Sequence, residues 1–374
     1  MNLLLCHFFF FTLFFRGLLP PKIFEIVIVI TFLMGFFETI INRKSRVDLQ
    51  NIMLILFLLV IATSQVYFTK HLTLLTGHVS YLIQGILIFY SFRYICRVSG
   101  VEVTVRALIF WGALVSFIGS VFYILNILSS SSIFDIVIYQ KAGMARLTGF
   151  QTNPNYFALT ICVIPILCMV MPKIKLKKTT IFVILVAIIF SGSRGGILAA
   201  LIPLVAYVYL KSEHKIAYGF VIILLFFSII FAINADLFPA LSRFDVSSSN
   251  FSSGRTEHWI RAIDIFKENY FFGVGNNSFL LYENENGSPI QVHNNYLRLL
   301  AEGGVIYFTS WFLFLILLSV RNNFKIEYYF IIMPLLIFSL VNDPYISKEF
   351  WLYLSVAIII SSSLKEIYKD RNLS

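Results

Sequence analysis

The chain has 374 residues, 59% of them hydrophobic and only 13% charged, with 40 Phe, 19 Tyr and a formal net charge of +10. A soluble domain carries roughly 25% charged residues, so the composition excludes a water-soluble globular protein and predicts an all-α polytopic membrane protein. The positive charge fits anchoring to anionic membrane lipid, and nucleic acid is not expected as a partner.

In chain order, apolar runs at 3–19, 23–41, 49–68, 79–95, 106–128, 155–171, 179–193, 196–210, 216–233, 303–320, 328–342 and 350–364 predict about twelve transmembrane helices. The first and seventh are short enough for a half-buried alternative. The opening MNLLLCHFFFFTLFFRG has no basic n-region and no small-residue cleavage site, so a retained helix is expected. Basic residues gather in alternate loops, among them Arg43, Lys44, Arg46, Lys173, Lys175, Lys177, Lys178, Arg321 and Lys325. The positive-inside rule then puts both termini in the cytoplasm. The organisation expected is 1–128 as N-terminal helices, 129–233 as central helices with an outer loop at 129–155, 234–302 as a long periplasmic loop between the ninth and tenth spans, and 303–374 as C-terminal helices with a tail. Within the long loop SSSNFSSG suggests a flexible hinge.

The four cysteines lie in or beside spans without CxxC spacing, which suits small apolar packing and not a metal site or disulfides. In the long loop, RTEHWIRAIDIFKEN has a helical pattern, with Trp259, Ile263 and Phe266 on one face and His258, Arg261, Asp264 and Glu268 on the other. FFGVGNNSF adds a Gly-x-Gly turn, which is no dinucleotide fingerprint without a βαβ unit. Glu283 and Glu285 in YENENG read as an exposed turn. Asn153 and Asn155 flank Pro154, the pattern of a helix start with Asn153 as N-cap.

Polar residues concentrate on one side of the membrane. VHNNYLRLLAEGG places His293, Asn294, Asn295 and Glu302 at the foot of the tenth span, and Arg194, Arg255 and Arg146 approach the same face from SGSRGG, SSGRTEHW and ARLTGF. Outward-facing arginine at hydrophobic depth is expensive and needs a reason. The plain alternatives are an interfacial His293 bonded to backbone, an Arg194 capping the seventh helix, and an Arg255 exposed in a loop. No Asp-x-Asp pair occurs, and the outer loops hold no metal-ligand cluster. No metal and no cofactor are expected.

The segments RLTGFQTNPNYFA, SGSRGGILAAL, SGRTEHWIRAIDIFKENYFFGVGNNSF and VHNNYLRLLAEGGVIYF, in this order from Arg146 to Phe308, resemble the O-antigen polymerase and O-antigen ligase superfamily of bacterial membrane glycosyltransferases. The resemblance implies a GT-C-like architecture in the bacterial inner membrane and transfer of a glycan from an undecaprenyl-pyrophosphate carrier at the periplasmic face. It implies His293, Arg194 and Arg255 as catalytic residues, with Arg146, Asn153, Asn155, Asn294, Asn295, Arg261 and Glu302 near the substrates. Arginines would hold the leaving pyrophosphate and His293 would be the general base. Asp343, in the outer turn VNDPYISKEF, aligns weakly with a loop acid of the ligases. The expected partners are the lipid-linked glycan, a growing glycan acceptor, a chain-length regulator, a flippase and membrane lipid. Polymerase is the first expectation and ligase the second. A glycan or lipid flippase would instead show charges at mid-membrane and broken helices.

Overall fold

The computed structural model describes residues 2–20, 22–42, 72–129, 132–141, 144–171, 174–211, 255–275, 277–279, 292–321, 325–344 and 347–369. The spans expected at 49–68 and 216–233, the SSSNFSSG segment, and Glu283 and Glu285 lie outside the described residues. The described chain is mostly helical. Among the described residues, three helices are long and apolar enough to cross a membrane: Val101–Ser129, Arg194–Lys211 and Asn295–Ser319. Shorter apolar helices occupy Asn2–Phe14, Pro154–Val170 and Ile326–Phe338.

The chain divides into two compact units. The first comprises Met1–Val27, Ile95–Phe251 and Tyr329–Phe338. Here α1 (Asn2–Phe14) packs on α4 (Val101–Ser129), which also packs on α7 (Lys177–Phe190); α5 (Pro154–Ile161), α6 (Ile164–Val170) and α8 (Arg194–Lys211) complete it. Phenylalanine supplies much of the packing. Phe15 stacks on Phe150 with centroids 4.8 Å apart, and Phe11 and Phe15 meet Trp111 edge-on. The Trp111 indole donates to His7 Nδ1 at 3.1 Å, which gives its polar edge a partner within the apolar surroundings.

One feature departs from the all-α expectation. Ile138–Lys141 (β1) and Met144–Leu147 (β2) form an antiparallel hairpin that pairs Tyr139 with Arg146. Four-residue strands are too short to leave a period-2 signal in the sequence. The hairpin ends in the GFQTN turn, where Gly149 at φ 58° lies against the Phe157 ring. The Gln151 carboxamide donates to Leu13 O at 3.1 Å, and the Gly17 amide donates to Phe150 O at 2.8 Å. These bonds tie the loop to the end of α1.

The second unit comprises Ile28–Tyr94, Ser252–Tyr328 and Ser339–Ser374. It contains most of α2 (Ile23–Asn42) and α3 (Leu72–Ser99), all of α9 (Arg255–Glu268), α10 (Asn295–Arg321) and α12 (Lys348–Lys369), and the start of α11 (Ile326–Phe338). Trp311, Phe314, Phe350 and Trp351 form its aromatic core, and the Trp351 ring lies against Gly85. α9 docks on α10 through Ala262, Ile265, Phe279, Val292 and Ala301.

α10 is broken at Gly304, whose φ of 62° and ψ of −173° interrupt the helical ladder. The neighbouring segment takes up the freed backbone groups on both sides of the break. Val274 and Gly275 amides donate to Ala301 O and Glu302 O at 3.0 and 2.8 Å, while Val305 and Ile306 amides donate to Tyr270 O and Phe271 O at 2.9 and 3.3 Å. Buried backbone groups must be paired, and the YFFGVG segment, Tyr270–Gly275, pairs them here. A Cβ on Gly304 would overlap the Phe271 carbonyl, and one on Gly273 would overlap that of Glu302. This close backbone approach explains the second glycine of EGG and the first of GVG. Gly304→Ala should destabilise the protein by on the order of 3 kcal/mol or more. Gly100→Ala, at φ 85° with open space around it, should cost only about 1 kcal/mol. Thermal unfolding of both variants in detergent checks the difference.

Candidate active site

In the first unit, the sequence positions Arg146 and Arg194 through two helix starts. Asn153 caps α5 by accepting from the Asn155 amide at 2.8 Å, with Pro154 in the first turn. Ser193 Oγ accepts from the Gly196 amide at 3.3 Å and so caps α8. Arg194 is the first residue of α8. It therefore opens the eighth helix and does not close α7, which ends at Phe190. A cation in a first helical turn opposes the helix dipole, so an anion there would serve both. Buried Arg146 donates from Nε to Ser191 O at 2.8 Å and from Nη2 to Asn155 Oδ1 at 3.1 Å. Its guanidinium thus links the hairpin to the α7–α8 joint, and the Oδ1 atoms of Asn153 and Asn155 are both used within the protein.

In the second unit, the turn 339–343 is the meeting point. Arg255 Nη1 donates to Val341 O at 3.0 Å, and the Asn295 amide donates to Ser339 O and Asn342 O at 2.8 and 3.2 Å. Asn294 Oδ1 accepts from the Tyr296 and Leu297 amides, both at 3.1 Å, making it the N-cap of α10. His293 sits half-buried just before that cap at φ 52°. Left-handed backbone is uncommon outside glycine and concentrates at functional sites. The Asn295 carboxamide is 1% exposed, and neither of its polar atoms has a hydrogen-bond partner among the described residues. A buried amide without partners costs about 1–3 kcal/mol, and a polar substrate group would recover that cost.

Beneath them lies a buried charge cluster. Arg298 is 4% exposed, Glu302 1% and Asp343 7%. Arg298 Nε donates to Glu302 Oε2 at 3.0 Å, Nη2 donates to Asn277 Oδ1 at 2.6 Å, and Nη1 lies 3.7 Å from Asp343 Oδ2. Burial raises the Asp343 carboxyl to about 6; Arg298 opposes the rise, Glu302 adds to it, and the His293 amide and Arg255 oppose it.

The expected site residues are therefore distributed as follows. Arg255, His293, Asn294, Asn295 and Glu302 gather at the start of α10, while Arg146, Asn153, Asn155 and Arg194 belong to the first unit. Arg261 is exposed on α9. The α9 faces need correction: His258, Ala262 and Ile265 are the buried side, and Ile263 is exposed. Small Ala262 lets the helix approach Ala301, and Trp259 packs against the same cluster. Sequence reasoning missed Arg298 and Asn277. The Arg298–Glu302 spacing of i, i+4 was the available signal.

Residues 179–312 match the family model described as O-antigen ligase. The match covers about a third of the chain and supports a relationship to the O-antigen ligase and polymerase superfamily. No curated protein matches the chain. The O-antigen ligase domain includes Arg194, Arg255, His293, Arg298 and Glu302; Arg146, Asn153, Asn155 and Asp343 lie outside the matched residues.

The raised Asp343 pKa has a stability consequence. The folded state binds this proton more tightly than the unfolded chain does, so its contribution is present below about pH 4 and is lost as pH rises through about 6. The loss amounts to roughly 2–3 kcal/mol. Melting curves of the wild type and Asp343→Asn between pH 4 and 7 should differ in slope in that direction.

Proposed function

We propose that the protein is a metal-independent membrane glycosyltransferase that joins undecaprenyl-pyrophosphate-linked repeat units at the periplasmic face. The observation carrying this reading is a left-handed His293 beside Asn295, whose carboxamide has no partner among the described residues, with Arg255 bonded to the same 339–343 turn, at the foot of an apolar span within the segment that matches the O-antigen ligase family. An acceptor hydroxyl attacks the anomeric carbon and loses its proton to His293. The anomeric C–O bond to the carrier breaks, and undecaprenyl pyrophosphate leaves with the bonding electrons. Arg194 and Arg255 take the developing charge on the phosphate oxygens, for which the guanidinium fork is suited. Each such contact is worth on the order of 3 kcal/mol in the transition state. Asn295 offers its carboxamide to sugar hydroxyls. In this reading the site faces the periplasm of the inner membrane, and both termini are cytoplasmic.

Chain elongation is the first form of the proposal, because the short, Phe-rich chain resembles divergent polymerases. The description of the matching family favours a second form, in which the finished glycan moves onto lipid A-core. Both forms use one donor chemistry, and the acceptor separates them. A flippase would move the lipid-linked glycan without forming a glycosidic bond.

In nanodiscs at saturating donor, His293→Ala should lower single-turnover transfer by about 10²–10⁴ while binding the undecaprenyl-pyrophosphate donor nearly normally. Arg194→Lys keeps the charge but loses the fork, so it should weaken donor binding. Transfer at the wild-type rate by His293→Ala would remove this histidine as base and turn attention to Glu257, Glu302 and Asp343. Activity should survive EDTA; loss that is restored by magnesium or manganese would contradict the arginine mechanism.

A further inference from the structure

The glycosyl-transfer reading assigns no role to Arg298, yet this residue joins three separate segments. Its Nε is held by Glu302 one helical turn away in α10, its Nη2 by Asn277 in the 277–279 turn, and its Nη1 faces Asp343 in the 339–343 turn. Stability alone does not account for this arrangement. Buried ion pairs are often no better than apolar residues of similar volume, because desolvation offsets the attraction. The contacts are also unequal. Glu302 and Asn277 receive full hydrogen bonds, whereas Asp343 stands at 3.7 Å, beyond hydrogen-bond length. The cation is anchored by two partners and presents its field to the third. Asp343 thereby keeps acceptor capacity for another donor, next to the backbone of His293.

We propose that Arg298 is a positioning residue, anchored by Glu302 and Asn277, that holds the Asp343 carboxylate in place and in its charged form at the start of α10. The inference rests on the glycosyl-transfer reading, in which that place adjoins the base. Among the described residues, the charged groups acting on Asp343 are Arg298 and Glu302 from α10 and Arg255 from α9, and the backbone amide of His293, before α10, also reaches it. Arg298 favours the carboxylate and Glu302 disfavours it. Their removal must therefore shift the proton affinity of Asp343 in opposite directions, and a merely structural pair would not in addition slow transfer while leaving donor binding intact.

The test uses the full chain in nanodiscs and the protonated-carboxyl infrared band that disappears in Asp343→Asn. Arg298→Gln should raise the titration midpoint of that band, and Glu302→Gln should lower it, each corresponding to about a tenfold change in proton affinity. Arg298→Lys, which keeps the cation, should stay near the wild-type midpoint and serves if Arg298→Gln does not fold. With a lipid-linked repeat unit as donor, Arg298→Gln should slow single-turnover transfer at least about tenfold and leave undecaprenyl pyrophosphate binding unchanged. Unmoved midpoints, or midpoints moving in the same direction, would overturn the assignment. So would equal losses of binding and transfer. A wild type that binds no undecaprenyl pyrophosphate defeats the glycosyl-transfer reading instead, and the infrared titration distinguishes the two failures because it needs no turnover.

Discussion

An α-helix cannot break inside an apolar protein unless every backbone group it releases finds another partner. α10 breaks at Gly304, and the Tyr270–Gly275 segment supplies the partners on both sides. The second unit depends on this exchange. It fixes where α9 ends and brings α9 against α10, and it separates a polar first part of α10 from an apolar second part. Three glycines make it possible, since a side chain at Gly273, Gly303 or Gly304 would collide with its neighbours. The polar first part then receives the turn 339–343, and with it Asp343.

Charge placement follows a common pattern in both units. Each charged group of interest sits at a helix start or beside one: Arg194 opens α8, Arg255 opens α9, and His293 precedes the cap of α10. Helix starts supply amide donors as well as dipole field. An anionic leaving group would find donors in such places. The buried guanidinium groups of Arg146 and Arg298 have a different task. Each spends two donors on protein acceptors and links chain segments that are distant in sequence. Arginine suits both tasks because its fork holds two directions at once.

Much of this was legible in the sequence. Apolar runs marked α4, α8 and the lipid-facing part of α10, because nothing else yields such long uncharged stretches. Asn153-Pro154 marked the start of α5, because cap chemistry is local. What depended on distant partners was not legible. The sequence sets His293 and Glu302 together at the foot of one span, but the helix begins only at Asn295 and His293 lies outside it. Arg298 was passed over because its meaning lies in Asn277 and Asp343, neither of which its own neighbourhood announces. The burial of His258, grouped by sequence with the charged residues of α9, was not legible either, because the line of contact with α10 runs through Ala262 and Ile265.

The lacing around Gly304 also bears on how the protein meets bilayers of different thickness. A span longer or shorter than the local hydrocarbon depth usually adapts by tilting or kinking, and a lone glycine break would be the natural pivot. Here the residues before and after the break are bonded to one short strip of chain, so pivoting would cost several backbone hydrogen bonds at once. Hydrophobic mismatch around α10 would then be met by tilting of the laced segment as a whole or by thinning or thickening of the lipid, and not by bending at Gly304. The polar head that carries Asn295 and Arg298 keeps a constant height above the apolar span, whatever membrane surrounds it.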